Sequence, residues 1–129
     1  MSHLKRVSTQ DALQPIASYS QAIDTGQLVF VSGHVGFDKE TGKRPDDIKD
    51  ETKILMDSIK AVLAAAGLEM SNICTATVFI TDLDLFEDMN EVYKTYFDEP
   101  YPARATVKVP ELLLDCRVEI QSIAMRPPS

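Results

Sequence analysis

The sequence predicts an α+β fold in which two helices cover one face of a sheet. Three observations carry that expectation: a set of short alternating or β-branched runs, one long amphipathic stripe between Ile48 and Ala66, and a shorter stripe that follows Asp84. They order the elements as β-β-β-α-β-α-β-β. No internal repeat, low-complexity tract or linker divides residues 1–129, so one domain is expected.

Taken in order, Leu4 to Val7 reads as a short leading strand. A loop containing Pro15 leads to Tyr19 through Ile23, then Asp24-Thr25-Gly26, then Leu28 through Gly33; two extended runs about an Asp/Gly turn predict a hairpin. Thr41-Gly42 and Pro45 break the polar segment before the first helix, which runs from Ile48 to about Ala66. Ile48, Leu55, Ile59, Val62, Leu63 and Ala66 fall on one stripe, Asp46 or Asp47 can cap its start, and Gly67 can close its end. Ile73 through Ile80 is a β-branched run and predicts a strand. Asp84 with Glu87 forms a capping-box-like start for a second helix to about Tyr96, with Leu85, Met89, Val92, Tyr93 and Tyr96 as its stripe. Ala105 to Val109 and Cys116 to Met125 complete the strands. Leu28 and Phe30 point one way and Val29 and Val31 the other, so that strand is apolar on both sides. Two helices cover only one face of such a sheet, which predicts that another copy of the chain covers the second.

The chain has 129 residues, of which 44% are hydrophobic and 26% charged. That length lets it bury roughly two-thirds of the surface its unfolded form exposes, and that composition excludes a disordered or fibrous reading. A net charge of −7 works against a phosphate backbone, so nucleic acid is not the expected partner. No run approaches the roughly 18 to 20 apolar residues of a membrane span, and the opening Met-Ser-His-Leu-Lys-Arg lacks a signal peptide's apolar stretch. The expected compartment is therefore the cytoplasm, with no membrane partner. Cys74 and Cys116 lie in apolar strand-like runs and read as reduced, buried packing. His3 and His34 form no ligand-like pair and the cysteines no Cys-x-x-Cys, so no metal is expected; Gly33 and Gly36 do not make a phosphate-cradling loop, so neither is a nucleotide.

Few residues are left to carry chemistry. A thiol nucleophile would need His34 as its base, but a mid-strand cysteine is usually inert, and His34 reads equally as a loop residue bonded to backbone. In Tyr101-Pro102-Ala103-Arg104-Ala105-Thr106, proline forces an extended entry and small alanines leave room around a guanidinium. Such a niche suits two-pronged capture of a carboxylate, although composition alone favours an ordinary surface ion pair. Alternation in Cys116 to Gln121 puts Glu119 on a face with Arg117 and Gln121. Return of this strand beside Ala105 to Val109 would bring its carboxylate near Arg104, as a salt-bridge partner or to orient water.

Ser18-Tyr19-Ser20-Gln21-Ala22, Val29-Phe30-Val31-Ser32-Gly33, Thr77-Val78-Phe79-Ile80-Thr81-Asp82-Leu83, and Pro102-Ala103-Arg104 followed by Val118-Glu119-Ile120 resemble the RidA (YjgF-type) family over nearly the whole chain. The resemblance implies a chorismate-mutase-like α+β fold with a mixed sheet, and a homotrimer with active sites between subunits. It also implies cofactor-free hydrolysis of small 2-imino and 2-enamino acids, such as 2-aminoacrylate and 2-iminopropanoate, to 2-keto acids and ammonia. Carried over by position, Arg104 is the carboxylate anchor, Glu119 orients water, and the Thr106 carbonyl stands where a cysteine is common in the family. Tyr19, Ser32, the Gly33 amide and Asn90 line the substrate site. Three departures gather around the cleft: Ala17-Ser18 replaces Gly-Pro, His34 replaces a common Gln as an added polar contact, and Phe97 to Tyr101 is short. Two rival readings accompany this one, a non-catalytic trimer binding 2-keto acids and, less favoured by the acidic charge, the ribonuclease or translation-inhibitor role attached to some members.

Overall fold

A computed structural model describes residues 3–128. Its strands are β1 (Lys5–Val7), β2 (Ala22–Asp24), β3 (Leu28–Val35), β4 (Ile73–Ile80), β5 (Ala103–Lys108) and β6 (Val118–Met125); its helices are α1 (Ile48–Ala65) and α2 (Phe86–Tyr93). The element order is the expected one. All six strands join one sheet in the order β1-β2-β3-β6-β4-β5. Every neighbouring pair is antiparallel except β4 and β5, so the sheet is mixed.

Asp47 caps α1 by accepting a hydrogen bond from the Lys49 amide at 2.8 Å, and Asp50 and Glu51 put negative charge at the positive end of the helix. At the other end Gly67 takes a φ of 77° that few side chains tolerate, which lets the Leu68 amide bond back to the Leu63 carbonyl at 2.8 Å. Leu55, Met56, Ile59, Val62 and Leu63 of α1 and Met89 and Tyr93 of α2 pack on Val29, Val31, Val78, Ile80, Val118, Ile120 and Ala124 of the sheet. Burying a large apolar side chain contributes roughly 1.5–3 kcal/mol, so this stripe is the main driving force for folding. The second helix runs to Tyr96 as its pattern predicts, its α-helical part ending at Tyr93 and a tighter 3-10 turn covering Lys94–Tyr96. Asp82, not Asp84, is the capping residue: it accepts from the Asp84 amide at 2.9 Å and starts a tight turn over Leu83–Leu85 that leads into α2.

Two irregularities decide which side chains face where. Val31 stands opposite Ser122 and His34 opposite Ile120, so β3 carries one residue more than β6 between those pairs. This bulge lies at Ser32-Gly33 and reverses the alternation beyond it. A second extra residue falls in β4, between Ile73 opposite Ala124 and Thr75 opposite Ile123. It is Cys74, which is exposed rather than buried because the bulge leaves it out of the alternation; Cys116 is buried as expected.

The face away from the helices carries Leu28, Phe30, Phe79, Val107, Ile123 and Met125. Phe30, Val107 and Met125 keep 43%, 43% and 45% of their surface exposed, whereas Val29 and Val31 beside them are buried. The two-sided strand is therefore real, and its outer side forms an apolar patch.

Candidate functional site

Pro102 immediately precedes β5, and the register sets Arg104 beside Ala76 of β4, which in turn faces Ser122 of β6. Directly paired residues share a face, so Arg104 projects onto the side that the helices cover. There α2 offers Phe86, Asn90 and Tyr93, spaced i, i+4, i+7 along one stripe. An Arg104 Nη1–H donates to Asn90 Oδ1 at 2.6 Å, and the guanidinium carbon lies 4.8 Å from the Tyr93 ring centre and 5.3 Å from that of Phe86. Burial pushes the Tyr93 phenol above its ordinary range, while the Arg104 charge pulls against that shift.

The other half-buried arginines each have a carboxylate: Arg117 has Glu51 at 2.8 Å, Arg126 has Asp24 at 2.6 Å and Arg44 has Asp115 at 3.8 Å. Among the described residues none pairs with Arg104. It borders a cleft of about 400 Å³ lined with Asn90, Tyr93, Lys94, Tyr101 and Pro102, which holds two cations and no acid. A larger groove of about 960 Å³ between the helices includes none of the expected site residues. Several of its polar groups engage one another, Lys49 with Glu91 at 2.9 Å and the Tyr96 hydroxyl with Asp57 at 2.6 Å.

Glu119 lies elsewhere. β6 does not return beside β5, because β4 separates them. Glu119 pairs with Phe79 and Val35, which puts it on the face opposite Arg104. Two strand spacings of about 4.8 Å and three residues of about 3.3 Å also separate the two backbones. The Glu119 carboxylate lies over Gly33 so closely that a Cβ built there would collide with it. Glu119 is half-buried, and burial pushes its carboxyl above the ordinary carboxylate range. Arg117 does not share its face: it turns to α1, where its Nε–H and backbone amide both donate to Glu51, at 2.8 and 2.6 Å.

Beside Gly33 the Ser32 hydroxyl donates to the Ser20 carbonyl at 2.5 Å. The neighbouring Tyr19 is 41% exposed on a loop tied down by buried Gln21, whose side chain accepts from the Thr9 amide at 2.8 Å and donates to the Leu13 carbonyl at 3.0 Å. Thr106, two residues beyond Arg104 and paired with Val78, belongs to the Arg104 side.

The expected residues thus fall into two groups: Arg104, Asn90 and Thr106 at β5 and α2, and Glu119, Gly33, Ser32 and Tyr19 around the β3 bulge. His34 joins neither. The bulge turns it inward, leaving 5% of its surface exposed and its Nε2 at 3.2 Å from the Gln21 carbonyl, so it is bonded to backbone as expected, but as a buried strand residue rather than a loop residue. Desolvation lowers its pKa, and the Gln21 carbonyl partly opposes that shift. Burial, reinforced by the Glu51 charge, pushes the Cys116 thiol up to about 12, which argues against a thiolate nucleophile. Tyr93 is core, as its stripe predicts, and its ring also flanks Arg104. Sequence reasoning passed over Phe86 and over this second contact of Tyr93, for which the signal available was their seven-residue spacing about Asn90.

Residues 9–126 match the endoribonuclease L-PSP family. The chain is 40% identical over 126 residues to a 2-iminobutanoate/2-iminopropanoate deaminase of Dermatophagoides farinae, covering 97% of this chain and 98% of that one. Its fold superposes with a TM-score of 0.90 on Escherichia coli TdcF crystallised with bound serine, at 42% identity over 95% of this chain and 99% of that one. It superposes equally, with a TM-score of 0.90, on RidA from an Antarctic Psychrobacter, at 37% identity over 95% and 99% of the two chains. With a full-length match at these identities and the same two-helix, six-stranded architecture, this chain belongs to the RidA (YjgF-type) family.

Proposed function

We propose that this protein hydrolyses small 2-imino and 2-enamino acids of the 2-iminopropanoate and 2-aminoacrylate type to 2-keto acids and ammonia, without a cofactor, in the cytoplasm. The observation that carries the reading is the Arg104 guanidinium, held at a cleft by a neutral amide and two rings, with no carboxylate among the described residues to neutralise it. Fixed in this way it is a receptor for a ligand carboxylate.

The two groups of residues lie on opposite faces of one chain, so a single protomer does not bring the anchor and the acid–base group to one ligand. The exposed apolar patch on the Glu119 face is the surface that copies of the chain would bury. We therefore place the working site between subunits of a homotrimer, with one protomer's Arg104 facing its partner's Glu119 group.

Hydrolysis of a protonated imine needs little more than a held substrate and an aimed water. Arg104 grips the carboxylate, and the Thr106 carbonyl and Glu119 orient a water at the imine carbon. As the water oxygen bonds to that carbon, Glu119 takes its proton. The same proton then goes to the amine nitrogen. As the C–N bond breaks, Glu119 takes the hydroxyl proton, so that the carbonyl forms and ammonia leaves; Glu119 passes this second proton to the departing ammonia, which goes as ammonium. A carboxyl raised by burial suits both halves of this exchange. Tyr19 would close the site, with the Ser32 hydroxyl and the Gly33 amide as hydrogen-bond donors. Asn90 acts through Arg104.

The test generates 2-iminopropanoate with an amino-acid oxidase and follows its trapping by semicarbazide. Addition of the protein should suppress trapping; unchanged trapping would remove the activity. Arg104→Ala should lose most of it, and full activity in that variant would discredit the anchor. The serine bound to the related TdcF favours a second reading, a carboxylate-binding trimer without turnover. Glu119→Gln separates the two, since it should abolish hydrolysis yet leave keto-acid binding in place. The family's endoribonuclease description finds no support in a chain of net charge −7.

A further inference from the structure

We infer that Phe86 and Tyr93 are positioning residues, whose aromatic rings hold the Arg104 guanidinium in place while leaving its charge free for a flat anionic group. This inference rests on the carboxylate-binding reading above and extends it to residues that contribute no charge.

A half-buried arginine needs something to fix its long side chain and to offset its lost hydration. The three other half-buried arginines of this chain solve the problem with a carboxylate. A carboxylate at Arg104 would compete directly with a substrate carboxylate for the same N–H edge. The fold supplies uncharged partners instead: Asn90 Oδ1 on one N–H at 2.6 Å, and ring centres 4.8 and 5.3 Å from the guanidinium carbon. These distances lie within the roughly 6 Å over which a ring's negative face attracts a cation. A ring attracts the cation without bringing a carboxylate that would compete with the ligand for it.

The backing of these groups is rigid. Tyr93 is 3% exposed and its ring lies 4.9 Å from that of Phe97. Phe86, Asn90 and Tyr93 share one stripe of an eight-residue helix, so Phe86 at its first position and Tyr93 at its last move together with the amide between them. Arg104 enters from the start of an edge strand, where Pro102 fixes its approach. The arrangement is a neutral holder for a cation, and it needs both rings.

The experiment uses the full chain, with pyruvate as the probe for binding by calorimetry and 2-iminopropanoate for turnover. Phe86→Leu and Tyr93→Leu should each weaken pyruvate binding about fivefold to thirtyfold and raise KM more than they lower kcat. Phe86→Tyr and Tyr93→Phe, which keep a ring, should recover most of the loss. In an Arg104→Ala background, Phe86→Leu should cost nothing further, because its effect passes through the guanidinium. An equal loss with and without Arg104, or undiminished affinity in Phe86→Leu, would overturn the proposal. Should a leucine variant fail to fold, the native protein still decides: the Arg104 side-chain protons should show upfield ring-current shifts by NMR, and unshifted resonances would also overturn it. Undiminished pyruvate binding in Arg104→Ala would instead sink the carboxylate reading, while leaving the ring shifts intact.

Discussion

Gly33→Ala is the substitution that most directly probes the Glu119 half of the site. Gly33 is not among the glycines of positive φ, so alanine meets no backbone strain there. The obstacle is its new methyl group, which would lie 2.8 Å from the Glu119 carboxyl carbon and 3.1 Å from Cγ. Carbon atoms pack at about 3.5 Å or more, so the carboxyl carbon must withdraw by about 0.7 Å, and further for the oxygen that the methyl overlaps. A misplacement of roughly 1 Å at a reacting group costs on the order of 10²-fold in rate. We expect kcat for 2-iminopropanoate to fall by about 10- to 100-fold. Stability should stay within about 1 kcal/mol, because glycine's entropy cost in a strand is relieved while a half-buried side chain shifts. Paired kinetics and urea unfolding measure both quantities. Wild-type kcat at unchanged stability would refute the claim that the position of Glu119 matters to the reaction. A loss of several kcal/mol would show that the strand, not the carboxylate, had given way.

Two further outcomes follow from the buried groups. Glu51 is fully buried and receives the Arg117 Nε–H and the amides of Arg117 and Val118, so Glu51→Ala strands a cation and two backbone donors; it should cost about 3–5 kcal/mol in urea unfolding, and a change under about 1 kcal/mol would contradict the described pairing. His34 is held neutral by desolvation, so its folded pKa lies below 6.5 and the unfolded chain binds the proton first. The stability that the neutral ring contributes is complete above about pH 6.5 and declines as the pH falls towards the folded pKa, by at most about 1.4 kcal/mol per pH unit. His34→Gln should flatten that part of the profile, and an unaltered slope between pH 7.5 and 5.5 would assign the acid sensitivity to other groups.

Much of this was legible in the residues, for reasons that can be named. The α1 stripe, its Asp47 cap and its Gly67 stop are local signals, and local signals survive in the folded chain. The two-sided strand was legible for the same reason, since alternation is fixed by the pleat. What failed was long-range or depended on a single extra residue. Glu119 and Arg104 were expected to be neighbours because β5 and β6 are consecutive, yet the chain inserts β4 between them and sends their side chains to opposite faces. Counting by twos past Ser32 puts His34 on the outer side; one bulge reverses the count and buries it. Cys74 is exposed by the same device in β4. The Glu51–Arg117 pair spans 66 positions and leaves no trace in spacing. Arg104 was singled out by its small neighbours, and its anchor role was implied only by the family resemblance; the rings beside it come from a helix the strand pattern does not mention.

The separation of Arg104 from Glu119 across the thickness of the sheet has a genetic consequence. If each cleft borrows its grip from one chain and its base from the next, no allele owns a whole site. Two strains carrying different crippled copies, one lacking the guanidinium and the other the carboxylate, would then rescue each other when their products co-assemble. Selection would accordingly act on assembly and catalysis as a single heritable trait.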